Sequence, residues 1–407
     1  RRGKGAVEVK LFRYELKKLL SRRYLKFIIV LLLFVNAFNI YENYDLFITP
    51  ELTLSGGEYG SYEHMRYEMQ TAWFGSITQE KVDELNEHIA IAKKAQAETD
   101  NAPWNRGFFR VPGADRRAGE ALMEELERLY TYDERIVSPL LEKDREFAET
   151  ETTAYSARLA KRIERIYTGR CITEYYRVNE YRPLLEYKLS SLFLLLISAY
   201  AASGLFAGER EAKMYALQKS TPLGERRLFF VKLAVLAVFV LALALVFYAE
   251  DSLMFSVCRR PSGLHMPLWS VNDIWGNYEY SPLNLSVGVF LLLLWPVRTL
   301  GLFASAMIVV VFSTLFHRSI AALLVSLPVV AALMTLTMFT DGVFSAVRWF
   351  DPVTLLIYPR LAENFIVQNV AGIPVFAHEL APVGCALLLT ALVALSFALY
   401  RRRDAHA

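Results

Sequence analysis

Three cysteines among 407 residues are too few for a disulfide framework. Cys171 and Cys258 fall in segments read below as lying on one side of a membrane, which leaves a bridge between them open. Cys385 falls in an apolar run, as a small packing residue. The six histidines, His64, His88, His265, His317, His378 and His406, are scattered, with no H-E-x-x-H and no Cys/His cluster to ligate zinc. There is no G-x-S-x-G turn and no pair of intramembrane aspartates. The phosphate-cradling G-x-x-x-x-G-K-[ST] loop is absent too, and Gly3-Lys4-Gly5 has neither its spacing nor a preceding strand. Ionisable residues inside the long apolar runs are few, and nothing among them resembles a proton relay, which argues against a proton-driven transporter. The chain is therefore read as a non-enzyme without a cofactor or metal of its own. Any work it performs must be powered from elsewhere, and no nucleic-acid partner is expected.

What is present is a mosaic. Hydrophobic residues make up 54% of the chain and charged ones still 21%, which fits apolar blocks alternating with soluble ones. A hydrocarbon core of about 30 Å needs about 20 apolar helical residues, because lipid satisfies no backbone polar group. Six stretches qualify: 24–41, 189–207, 228–249, 299–316, 319–340 and 380–400. The first carries Asn36 and Asn39. The fourth follows a further apolar run, LNLSVGVFLLLLW, which either stops at Trp295-Pro296 as an interfacial segment or joins the span as one kinked helix. The lipid bilayer is thus the first expected partner, in a multi-pass cell-membrane protein.

Orientation follows from Lys and Arg beside the spans. Residues 1–26 hold ten of them against Glu8 and Glu15, residues 209–232 hold six, His317-Arg318 separates the fourth and fifth spans, and Arg401–Arg403 follow the sixth. All four flanks fall on one side if six spans alternate. Residues 42–183 carry 27 acidic and 19 basic side chains and should face the other way. Both termini are expected in the cytoplasm. The chain after the first span reads NAFNIYENYD, without a small-residue cleavage site, so that span is expected to be retained rather than cut as a signal peptide.

Val9, Phe12, Leu16, Leu19 and Leu20 recur at helical spacing among basic residues, predicting an amphipathic interfacial helix over 1–23. Block 42–185 predicts a helical domain. One helix begins after Ser76 or Thr78 as N-cap, and a second spans GADRRAGEALMEELERLY. A third runs from Ser138, as N-cap before Pro139, to Gly169, with Leu141, Ala148, Tyr155, Leu159, Ile163 and Ile166 in one seam. DNAPWNRGFFRVPG reads as a loop folded onto this bundle. Residues 250–298 form an aromatic-rich outer loop and interfacial segment, and 341–379 an outer loop with short surface helices. The fold expected is an all-α polytopic membrane protein: six transmembrane helices, an N-terminal interfacial elbow helix, and a helical extracytoplasmic domain between spans one and two. Arg298, at the outer end of the fourth span, is a substrate-path candidate able to snorkel outward. Lys188 and Lys232 read as interface anchors.

The segment EREAKMYALQKSTPLGERRLFFVK, Glu209–Lys232, sits between the second and third spans. Met214, Tyr215 and Leu217 give a short helix an apolar side, Pro222 stops it, and Arg226-Arg227 mark re-entry into the membrane. Physics alone weighs two readings equally: a lever tied to two spans, or a basic turn that only enforces topology. The order of features resembles a type-2 ABC exporter permease: elbow helix, span, large outer domain, span, coupling loop (208–227), then four more spans. In that family the loop has a charged start, a helix, an S/T-x-P-like turn, a G-R or S-R pair and a Lys. Glu209-Arg210-Glu211, Leu217, Ser220-Thr221-Pro222, Gly224, Arg226-Arg227 and Lys232 stand in those places. SPLNLSVGVFLLLLWPVRTLGLFASAMIVVVFSTLFHRSIAALL is similar to the family's fourth-span region. The likeness covers the chain in layout, and in letters only these two stretches. Departures are Lys213-Met214, where the family often has a glycine, and Glu225, which separates Gly224 from the arginines.

The resemblance implies a permease subunit gripped by a separate cytoplasmic ABC ATPase, which holds the ATP and Mg, and paired with a second permease subunit, identical or sister. It assigns ATPase coupling to Glu209, Glu211, Tyr215, Leu217, Ser220, Pro222 and Arg226. The alternative from a different class is a membrane receptor or signal-relay protein that senses a ligand through its outer helical domain.

Overall fold

The computed structural model describes residues 2–44, 62–84, 86–87, 116–150, 153–213, 225–272, 278–339, 349–363 and 365–402. The basic leader forms α1 (Arg2–Leu20). After a break at Ser21-Arg22, where the Ser21 hydroxyl donates to the Lys18 carbonyl at 2.9 Å, the chain continues as α2 (Arg23–Tyr44). Phe12, Leu16 and Leu19 of the α1 stripe pack into an apolar core cluster, whereas Val9 and Leu20 stay exposed. Much of α2 looks outward: Phe27, Val30, Phe34 and Phe38 are all more than half exposed. Such a face suits lipid, which has no penalty for apolar surface.

The charged block contains α3 (Tyr62–Thr71), β1 (Gly75–Ser76), α4 (Arg116–Tyr130), α5 (Ser138–Thr150), α6 (Ala154–Tyr167) and β2 (Glu174–Tyr175). The β1 strand pairs antiparallel with β2, Gly75 opposite Tyr175. Thr78 rather than Ser76 caps the helical residues that follow, accepting from the Lys81 N–H at 3.4 Å. Their continuation beyond residue 87 and the DNAPWNRGFFRVPG loop lie outside the described residues.

The single helix expected from Ser138 to Gly169 is two helices. Thr153 caps α6 in a reciprocal box: its hydroxyl accepts the Ser156 N–H at 3.1 Å, and the Ser156 hydroxyl accepts the Thr153 N–H at 3.2 Å. Ser138 caps nothing, because its backbone is helical and a π-helical turn, Asp133–Val137, leads directly into it. Gly169 does lie just past the end of α6, at φ +78°, the left-handed conformation a helix stop favours.

Short helical turns from Val178 lead into α7 (Leu189–Ser203), followed by α8 (Ala207–Glu211), α9 (Glu225–Arg259), α10 (Val287–Leu315) and α11 (Ser319–Phe339). Next come α12 (Pro352–Leu356), α13 (Pro359–Glu363), a hairpin of β3 (Val367–Val370) and β4 (Ile373–Phe376), and α14 (Ala377–Arg402). Among the described residues five helical stretches are long and apolar enough to cross a membrane: α2, Val178–Ser203, α9, α10 and α14. The apolar run of α11 counted in the same way is shorter, Ser319–Leu333.

Three expectations change. At 35 residues α9 is about 52 Å long and runs ten residues past Ala249, because the acidic pair there does not end it. Helix α10 passes through Pro296 without a break, so the interfacial segment and the fourth span are one 29-residue helix. Ser286 caps its start, accepting the Val289 N–H, and a proline is tolerated in an apolar helix whose neighbours re-satisfy the backbone. The all-α description holds apart from two small ladders. In the second, Val367 faces Phe376 and Val370 faces Ile373 across Ala371-Gly372, both at positive φ as a type I′ turn requires.

The segment before α14 was expected at the surface. Instead Val353, Leu355 and Leu356 of α12 are buried beside α10. Two glycines admit it. A Cβ on Gly301 would stand 2.6 Å from the Pro352 carbonyl oxygen, and one on Gly384 would run into that of Trp349. Gly384→Ala is expected to destabilise the protein by about 1–3 kcal/mol, since backbone must move to admit the methyl group. Thermal unfolding in detergent measures this, and an unchanged midpoint would mean the two segments are not in contact.

Candidate functional site

The segment that opens residues 208–227 is bonded to several helices of the bundle. Helix α7 ends at Gly204, and the backbone bends before α8. That bend frees polar groups, and Ser313 of α10 takes them up. Its hydroxyl donates to the Ser203 carbonyl at 2.8 Å and accepts from the N–H groups of Phe206 and Ala207, both at 3.1 Å. Non-helical backbone among apolar helices requires this kind of compensation. Arg22, between α1 and α2, donates to the Gly204 carbonyl at 3.2 Å from the other side.

Each polar residue of α8 reaches a different helix. Glu209 is 3% exposed and accepts from Lys18 of α1 at 2.6 Å and from Lys232 of α9. Lys232 is fully buried, with Phe206's ring centroid 5.1 Å away, and Glu15 lies 3.8 Å from Lys18. Burial pushes the Glu15 carboxyl above its ordinary range against the pull of Lys232 and Lys18. Arg210 donates to the Thr314 and Phe316 carbonyls at the end of α10, at 2.7 and 3.1 Å. Glu211 accepts from the backbone N–H and hydroxyl of Ser319 at the start of α11, at 3.3 and 3.2 Å. A cation at a helix C-terminus and an anion at an N-terminus both oppose the local end charge. Four helices are thereby tied to five residues.

Of the residues assigned to coupling, Glu209 is turned into the protein, Glu211 is exposed on the α11 cap, and Arg226 is exposed with its guanidinium 6.0 Å from the Phe230 ring. Tyr215, Leu217, Ser220 and Pro222 lie outside the described residues. Lys232, read as an interface anchor, is the buried partner of Glu209 instead. Lys213 adopts φ +54°, the left-handed conformation that glycine takes at least cost. Arg298 does not snorkel. It is 5% exposed and donates to the Leu185 carbonyl at 2.7 Å.

At the opposite end of the bundle, pattern reading missed a second polar set. The Asn36 amide of α2 donates to Asp251 of α9 at 2.7 Å and to Glu250 at 3.2 Å, and the Tyr187 hydroxyl donates to Asn36 at 2.9 Å. Asn36 and Asn39 were visible as oddities in an apolar span, but their partners lie far away in sequence, Asp251 at 215 residues from Asn36 and Tyr187 at 148 from Asn39. Arg177, fully buried, donates to Gln70 of α3 and to the Arg259 carbonyl at 3.2 Å, and pairs with Glu180 at 3.5 Å. It joins the charged block to the end of α9. Beside it, Arg66, Glu125, Arg128, Glu180, Arg182 and Arg259 line much of a cavity of about 570 Å³. Burial raises the Glu125 carboxyl above its ordinary range, against the pull of Arg66. Cys171, which is exposed, and Cys258, which is buried, are not joined by a disulfide. Among the described residues no group of His, Cys, Asp and Glu is arranged to hold a metal ion.

No family model, no curated protein and no solved structure matches this chain.

Proposed function

We propose that the chain is the transmembrane subunit of an ATP-driven exporter of the type-2 ABC kind, moved by a separate cytoplasmic ATPase that grips residues 208–227. One observation carries the reading. The five residues of α8, at the head of that stretch, are bonded to α1, α9, α10 and α11 at once. A displacement applied to the loop enters the elbow helix and three long helices together. A turn that merely sets topology has no use for such a hub. ATP and Mg stay on the partner, and two permease chains complete the complex. In this arrangement both termini and α8 face the cytoplasm, and the charged helical block faces outward. The polar cavity of about 570 Å³ favours a second reading, a membrane receptor whose outer block holds a ligand.

The test is association. Purified from its native membrane, the chain is expected to carry an ABC ATPase with it, and Leu217→Asp to weaken that association at least about 30-fold, as loss of an apolar hot spot does. Retained association together with full ATP-dependent export in the variant would remove the coupling assignment.

A further inference from the structure

A narrow crevice opens where the start of α7, the middle of α10 and the α12–α13 turn meet, and its walls include Leu185, Glu186, Lys188, Arg298, Arg360 and Glu363. Arg298 is its buried member. One terminal nitrogen donates to the Leu185 carbonyl at 2.7 Å, while the buried Nε meets no acceptor. The Tyr248 ring, 5.8 Å from the guanidinium carbon, offers a π face but no counter-charge. Lys188 and Arg360 are exposed beside it. Among the described residues no carboxylate lies within 4 Å of any of these three cations; Glu186 in the same wall is engaged by Arg182 at 2.7 Å, and Glu363, also in the wall, attracts Arg360 and Lys188 only at longer range. Asp251 attracts Arg298 only at longer range, and a guanidinium held this deep with no anion in contact is costly, a cost relieved when one arrives.

Depth along the helix suggests where the anion comes from. Seventeen residues separate Arg298 from Leu315 at the far end of α10, or about 26 Å of helix, close to the ~30 Å of a hydrocarbon core. With Leu315 at one interface, Arg298 stands near headgroup level at the other. Lys188 immediately precedes α7 at the same level. The crevice has only about 10 Å³ of free volume, enough for one anionic oxygen and too little for a whole solute.

We propose that this crevice binds a phosphate oxyanion, with Arg298 reaching it from within and Lys188 and Arg360 flanking it. The rest of the bound molecule remains outside, as the glycerol and acyl chains of a phospholipid would. The planar, permanently charged guanidinium is suited to phosphate oxygens, and two further cations add long-range attraction. This assignment is independent of whether an ATPase moves the chain.

The experiment uses the full chain in dodecyl maltoside, which carries no phosphate, titrated with dioctanoyl phosphatidylglycerol and followed by native mass spectrometry. Saturable binding of one lipid per chain is expected at this site, with no equivalent binding of dioctanoylglycerol, which lacks the phosphate. Arg298→Gln and the double variant Lys188→Gln/Arg360→Gln should each weaken binding about tenfold or more. The double variant alters exposed side chains alone, so its result stands even if Arg298→Gln folds poorly. Competition by millimolar inorganic phosphate would support the site with a dissolved anion as its source, and lack of competition would support it with lipid as the source. Equal binding of both dioctanoyl compounds, or undiminished phosphatidylglycerol binding by the double variant, overturns the proposal.

Discussion

Glu209→Gln is expected to destabilise the protein by about 3–5 kcal/mol, because it leaves the buried Lys232 ammonium with no carboxylate in contact and only Glu15 at longer range. Lys232 has no exposed surface and Glu209 has 3%, so water cannot replace the lost partner. Lys232→Met alone should cost a similar amount by stranding the carboxylate, moderated by Lys18, which contacts it at 2.6 Å. The double variant Glu209→Gln/Lys232→Met should recover much of the loss, since a buried ion pair is often replaced by packed apolar groups at little net cost. Lys18→Ala should cost less, up to about 1 kcal/mol, because its side chain is 38% exposed and partly hydrated. Chemical unfolding of the four variants in detergent checks the pattern. Losses that simply add in the double variant would show that the two charges do not depend on each other. In a complex with an ATPase, the same variants should uncouple hydrolysis from export, since α1 and α9 are then no longer tied to the head of the loop.

The second large effect is expected at the other end of the bundle. Arg177→Met should destabilise the chain by about 3–5 kcal/mol by leaving the Gln70 carbonyl, the Arg259 carbonyl and Glu180 with fewer or no donors in a buried setting. Glu180 keeps Arg259 at 2.8 Å, so the lost contacts to α3 should matter most. Limited proteolysis and hydrogen exchange should then report faster opening of α3 than of α9. Uniform loss of protection would mean that Arg177 acts on the bundle as a whole rather than on the seam between block and bundle.

Five of the six expected apolar spans were legible because lipid imposes a local rule: an uninterrupted run of about 20 residues either satisfies its backbone by helix or does not enter. Local chemistry likewise showed the α1 stripe, the body of α4 and the stop at Gly169. It failed where a distant side chain decides. Glu250-Asp251 looked like the end of a span, yet α9 continues because Asn36 donates to both carboxylates. Lys232 looked like an interfacial anchor, yet Glu209, 23 residues away, turns it inward. Whether the helix stops at Pro296 was left open by the letters, and α10 passes through it. The split between α5 and α6 is different. The Thr153–Ser156 box was present in the letters and was outweighed by a seam that extended across it.

The candidate site divides in the same way. Glu209, Glu211 and Arg226 were singled out by the resemblance, and Arg298 as a charge at the outer end of the fourth span. Nothing local told which would face inward. The order of apolar and charged segments, and the side of the membrane each should favour, follow from composition alone, because hydration of a segment depends on its own residues. Tertiary structure decided which buried charges meet. Pairing energy belongs to two groups brought close by the fold, and neither residue's neighbours in sequence carry a trace of the other.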